Sequence, residues 1–172
     1  GTQDTEGLGL TNPPNKLHNN GPHKIQQDNA VFQDNPFLVA QEDEFGDEEA
    51  SNHSFDDGTA GWADGLSGAI TAAGGKCTLT LSGGTIGLIS QAATFGSSTY
   101  RITIDVDSVS TTGLSLYTYS GDSSGQLSAN VSAGIYTEDF TGNGIDVRIT
   151  GADGSSVVFN SISVKEVLYE AG

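Results

Sequence analysis

Residues 98–110 read STYRITIDVDSVS, and their alternation decides the fold class. Tyr100, Ile102, Ile104 and Val106 fall on one side of an extended chain, while Arg101, Thr103, Asp105 and Asp107 fall on the other. Side chains in a strand alternate with period two, so this is a strand with an apolar inner face and a wet outer face. Antiparallel sheets that cover a core on one side carry this pattern.

The same reading extends outward. In GIDVRITG, Ile145, Val147 and Ile149 share a face, and in CTLTLSG, Leu79 and Leu81 share one with Cys77. In NSISVKEV, Ile162, Val164 and Glu166 align, which puts Glu166 at the rim of the core. GAITAA, IGLISQAATF, GLSLYTYS and GIYTEDFTG are further strand candidates between Gly, Ser and Asp turns. Many short, evenly spaced strands with no convincing helix predict an all-β, two-sheet antiparallel sandwich over residues 51–172. Of those 122 residues 19 are glycine, so the core is small and the strand edges need cover, which predicts a homo-oligomer.

Residues 1–50 differ. They hold all four prolines (Pro13, Pro14, Pro22 and Pro36) but only 5 of the 24 glycines, and they show no sustained periodicity. Apolar residues come in knots, among them Leu17, Ile25, Val31-Phe32 and Phe37-Leu38. Knots spaced by turn-forming and polyproline-forming residues suit an extended arm that plugs the pockets of a partner; the other reading is a tail with incidental apolar residues. Residues 41–49, QEDEFGDEE, hold six acids and no base, and read either as a solvated hinge or as a dock for a basic partner surface.

Charge and composition exclude several functions. With 6 basic against 22 acidic residues the net charge is −16, which repels nucleic-acid phosphates and anionic membrane surfaces. Neutral partners such as glycans, or basic protein surfaces, remain. Cys77 is the single cysteine, so it reads as a small apolar strand residue. His18, His23 and His53 lie in no catalytic motif, neither GTIGLIS nor GDSSG is a nucleophile elbow, and the abundant carboxylates define no pair. No catalytic residue is assigned and an enzyme is not expected.

Five pieces in order carry a resemblance: NHSFDDGTAGW (52–62), GAITAAGGKCTLTLSGG (68–84), LISQAATF (88–95), TYRITIDVDSVS (99–110) and FNSISVKEV (159–167). Together they resemble the jelly-roll modules of tailed-phage virions and carbohydrate-binding modules, in which an Asn-x-x-Phe-Asp stretch leads through a short turn to a Trp. The resemblance implies a jelly roll whose first strand carries Phe55 into the core. It implies that Trp62 either closes the end of the sandwich or stacks on a glycan. It also implies a structural calcium ion where first and last strands meet, with Asp56, Asp57 and Glu166 as its candidates against a plain solvated loop; no other metal or cofactor is expected.

From this follows the expectation of a non-enzymatic structural protein in a tailed-phage virion, a head decoration or fibre-like component. Residues 1–50 would anchor it to the major capsid protein, to other virion proteins or to neighbouring copies, through Leu17, Ile25, Val31, Phe32, Phe37 and Leu38. The alternative is a carbohydrate-binding module for surface glycans. Its candidate site is Tyr117 and Tyr119, which at i and i+2 form either a flat stacking platform or a packed sheet edge.

Overall fold

The computed structural model describes residues 43–169, and Leu17, Ile25, Val31, Phe32, Phe37 and Leu38 lie outside them. Eleven strands run in chain order: β1 Glu44–Glu48, β2 Ala63–Leu66, β3 Gly68–Ala73, β4 Lys76–Leu81, β5 Ile86–Gln91, β6 Tyr100–Val109, β7 Ser115–Thr118, β8 Gly125–Ser128, β9 Gly134–Phe140, β10 Ile145–Thr150 and β11 Ser156–Tyr169. No helix occurs among the described residues.

Their pairing is that of a jelly roll. β4 pairs with β11, β5 with β10, β6 with β9 and β7 with β8, all antiparallel, so the chain is one long hairpin rolled upon itself. The rolled hairpin lays down two sheets. One is six-stranded, in the order β3-β4-β11-β6-β9 with β1 on β11; the other is five-stranded, in the order β2-β5-β10-β7-β8.

Alternation places the core between them. Cys77, Leu79 and Leu81 of β4, with Ile102, Ile104 and Val106 of β6, face Ile89 of β5 and Val147 and Ile149 of β10; all are buried. Each fully buried aliphatic side chain contributes about 1.5–3 kcal/mol of transfer free energy, which offsets the entropy of ordering a glycine-rich chain. In β11 both Phe159 and Ile162 point inward, although they are three residues apart. A bulge between Phe159 and Ser161 against β6 adds the residue that restores the inward phase.

Two expectations change. Residues 44–48, read as part of a solvated hinge before a domain starting at 51, form β1 and pair with the C-terminal half of β11. The Glu48 carboxylate accepts hydrogen bonds from the amides of Val164 at 2.7 Å and Ala50 at 3.1 Å and from the hydroxyl of Ser163. Arg101 reaches over from β6, donates to Asp43 and lies 5.2 Å from the centroid of the Phe45 ring. An acidic run therefore joins the sheet through backbone pairing and through donors that its carboxylates accept.

Phe55 is the second change. It is buried as expected, but in a turn and not in a strand, with φ at 58°. A non-glycine residue holds that left-handed conformation only where its surroundings over-determine it. Asn52 does so. Its side chain donates to the carbonyls of Gly58 and Ala60, both at 3.0 Å, and accepts from the amide of Asp57 at 3.1 Å. Its carbonyl accepts from the amide of Phe55 and from the indole Nε1–H of Trp62, each at 3.1 Å.

Trp62 is 7% exposed, and its ring centroid lies 5.6 Å from that of Phe55. Gln91, at the end of β5, ties the same loop down by bonding Ser51 through both its amide groups. Trp62 thus closes the end of the sandwich, and its burial inside the loop leaves no ring face for a glycan.

Candidate functional site

The outer face of the five-stranded sheet gathers an aromatic and ionic cluster. β10 is central, with β5 on one side and β7 on the other. Its inward residues are Ile145, Val147 and Ile149, so Asp146, Arg148 and Thr150 point outward. In the pairing register Arg148 stands between Leu88 and Tyr117, and Thr150 between Ile86 and Ser115.

Tyr117 points outward from β7, because Leu116 and Thr118 on either side are buried. Tyr119 follows the strand, donates its amide to the carbonyl of Asp146 at 2.9 Å and keeps its side chain on the same outer face. The two tyrosine rings lie 6.3 Å apart, centroid to centroid, and differ in tilt by only 21°.

Arg148 completes the cluster. Its guanidinium carbon lies 4.1 Å from the Tyr119 ring centroid, the distance of a close cation–π contact. Its Nε and Nη2 donate to the two carboxylate oxygens of Asp146 at 2.9 and 2.8 Å. These hydrogen bonds raise the Arg148 pKa above its already high value, so the group stays charged. The paired fork is held flat against the ring, with its other N–H groups left to donate elsewhere.

The surface here is concave. A depression of about 250 Å³ is lined by Ile86, Tyr117, Tyr119, Arg148 and Thr150. A second, of about 320 Å³, shares Tyr119 with it and adds Ser90, Asn143 and Asp146. Aromatic faces beside a few placed hydrogen-bonding groups are what a neutral, hydroxyl-rich ring needs, since its C–H face stacks and its edge donates and accepts.

The loop behind Tyr119 is close-packed. Gly121 has φ at 54°, and a Cβ there would stand 2.1 Å from the carbonyl oxygen of Thr141, so only glycine fits. Asp122 accepts from the amide and hydroxyl of Thr141 at 2.6 and 2.8 Å, which holds its carboxyl below the usual range.

The structure brings Tyr117 and Tyr119 together. Asp56, Asp57 and Glu166 are not brought together, and among the described residues no three His, Cys, Asp or Glu side chains converge. Asp56 accepts from the Ser54 hydroxyl at 2.7 Å beside Gly75, whereas Glu166 packs against Gly46 of β1. His53 contributes a backbone carbonyl to Ile162, and His18 and His23 lie outside the described residues.

Sequence reading missed Arg148, Asp146 and Ile86. The outward phase of GIDVRITG was there to be read, but nothing local says which strand lies beside it.

No protein-family model matches the chain, and no curated protein aligns with it. Among solved structures, the enzymatically active domain of bacteriophage CBA120 tailspike protein 4 superposes with a TM-score of 0.46 at 10% identity, over 70% of this chain. The matched region is 21% of that protein, so the chain spans about a fifth of its length. TmCBM61 in complex with β-1,4-galactotriose gives a TM-score of 0.49 at 12% identity, over 70% of this chain and 99% of that one. A variant of the family 29 carbohydrate-binding module CBM29-2 gives 0.44 at 14% identity, over 73% and 86%.

Proposed function

We propose that the domain is a glycan-binding module without catalytic activity, and that it binds on the outer face of the five-stranded sheet. One observation carries the reading. Tyr117 and Tyr119 stand together on that face, their ring centroids 6.3 Å apart and their planes within 21°, and Arg148 is clamped over Tyr119 by Asp146. The aromatic surface supplies stacking, and the ion pair supplies directional donors and acceptors without presenting an uncompensated charge.

The test is affinity electrophoresis of the full chain through gels containing neutral polysaccharides: β-glucan, mannan, galactan and xylan. Retardation by at least one of them is expected. Replacing both Tyr117 and Tyr119 by Ala should weaken it about tenfold or more, as for the removal of aromatic anchors worth about 2 kcal/mol. Retention unchanged in the double variant would place the site elsewhere.

A structural role in a tailed-phage virion, with residues 1–50 anchoring the protein to the capsid, rests on the apolar knots from Leu17 to Leu38, which lie outside the described residues, and homo-oligomeric assembly rests on strand edges of the glycine-rich domain that need cover. The glycan reading is the one the domain itself supports.

A further inference from the structure

Tyr119 stands between two depressions of unlike chemistry. On one side Ile86 and Tyr117 line the depression with Arg148 and Thr150; on the other Ser90, Asn143 and Asp146 make a polar wall. At about 250 and 320 Å³, one lies below and the other at the bottom of the range of roughly 300–1,000 Å³ in which pockets hold a drug-sized ligand. Each is therefore matched to one ring and not to a chain. The Asp146–Arg148 pair spans the boundary, since Asp146 lines the second depression while holding the fork that lines the first.

The polar wall is built in advance of any ligand. The Asn143 side-chain oxygen accepts from the amide of Phe95 at 2.7 Å, which orients its NH₂ group as a donor. The neighbouring Gly144 amide donates to the carbonyl of Ala93 at 2.9 Å, and Ser90 pairs with Asp146 across β5 and β10. Groups fixed in place lose little entropy on binding.

Resting on the glycan reading above, we propose that the depression of Ser90, Asn143 and Asp146 is a second sugar subsite, so that the ligand is a neutral oligosaccharide of at least two residues. One ring stacks at Tyr117 and Tyr119, and the next is hydrogen-bonded along the polar wall. The ligand is neutral because Arg148, the cation of this face, is already compensated by Asp146, and because a chain of net charge −16 repels acidic sugars.

Calorimetric titration of the full chain with β-1,4-linked gluco-, manno-, galacto- and xylo-oligosaccharides of one to four units, and with oligogalacturonate as the acidic comparison, tests it. In the parent protein, affinity should rise about tenfold from one unit to two. Asn143→Asp, which keeps the acceptor for Phe95 and removes the NH₂ donor, should flatten that rise, and Ser90→Phe should flatten it by filling the subsite. Fluorescence of Trp62 checks that both variants are folded. Equal affinity for one unit and for two, or a rise that survives both variants, overturns the second subsite and leaves the glycan reading standing. Binding at no length overturns both, and tighter binding of oligogalacturonate overturns the neutral ligand.

Discussion

The guanidinium of Arg148 lies 4.1 Å from the centroid of the Tyr119 ring, although β10 carries the one and the segment after β7 carries the other. Asp146 makes this contact a fixed one, because it occupies the Nε and Nη2 edge of the fork and accepts the Tyr119 amide on its carbonyl. A ring outside a strand is thereby oriented as if it stood within one.

Arg148→Lys keeps a positive charge but loses the planar fork and the stack. Glycan retention should fall about fivefold, the equivalent of the roughly 1 kcal/mol of an exposed cation–π contact. The thermal midpoint should hardly move, because the side chain lies on the outer face. Affinity electrophoresis beside a melting curve checks both, and full retention would show that Tyr119 keeps its orientation unaided.

Glu48→Ala removes the acceptor for Val164, Ala50 and Ser163. The expected loss is about 1–3 kcal/mol, mostly from donors left unsatisfied in a partly buried place. Hydrogen exchange at the Val164 amide should quicken more than at the Ile104 amide in mid-sheet. Equal protection in parent and variant would mean that β1 holds without its carboxylate.

Trp62→Ala opens the end of the sandwich and should cost about 3–5 kcal/mol, read from denaturant unfolding. Trp62→Phe keeps the contact with Phe55 and loses only the bond to the Asn52 carbonyl, at about 1 kcal/mol. Retention on glycan gels should be the same for Trp62→Phe as for the parent. A selective loss of retention would give this residue a role in binding.

Burial pushes the Cys77 thiol up to about 11. The unfolded chain releases this proton near the ordinary thiol value, so the folded state binds more protons at alkaline pH. The resulting stability is intact below that ordinary value and fades as pH rises from there toward 11. Urea midpoints should therefore fall less between pH 8 and 10 in Cys77→Ala than in the parent. A thiol reagent at pH 8 should label the parent only under unfolding conditions.

The legible parts of the fold were those where a single segment contains its own pattern. In 98–110 four apolar residues alternate with four polar ones, and β6 buries the four that were expected. β2 and β8, with sequences ADGL and GQLS, carry no such alternation and become strands because the paired neighbours β5 and β7 supply half of every ladder bond. The acidic β1 was unreadable for a related reason. Its charges describe a solvated run, whereas its backbone is bonded to β11 and Glu48 is capped by donors far away in sequence.

The sequence by itself determined which side of β4, β6 and β10 is buried, and that Tyr117 and Tyr119 share a face. Those are consequences of side-chain period and of the transfer cost of apolar surface, both local to the chain. Only the tertiary structure decided that Arg148 lies beside Tyr117 in register, that Asp146 clamps it over Tyr119, and that Ser90 and Asn143 form the adjoining wall. Register is a sum of weak pairings between segments distant in sequence, and those pairings come into being only as the long hairpin rolls up.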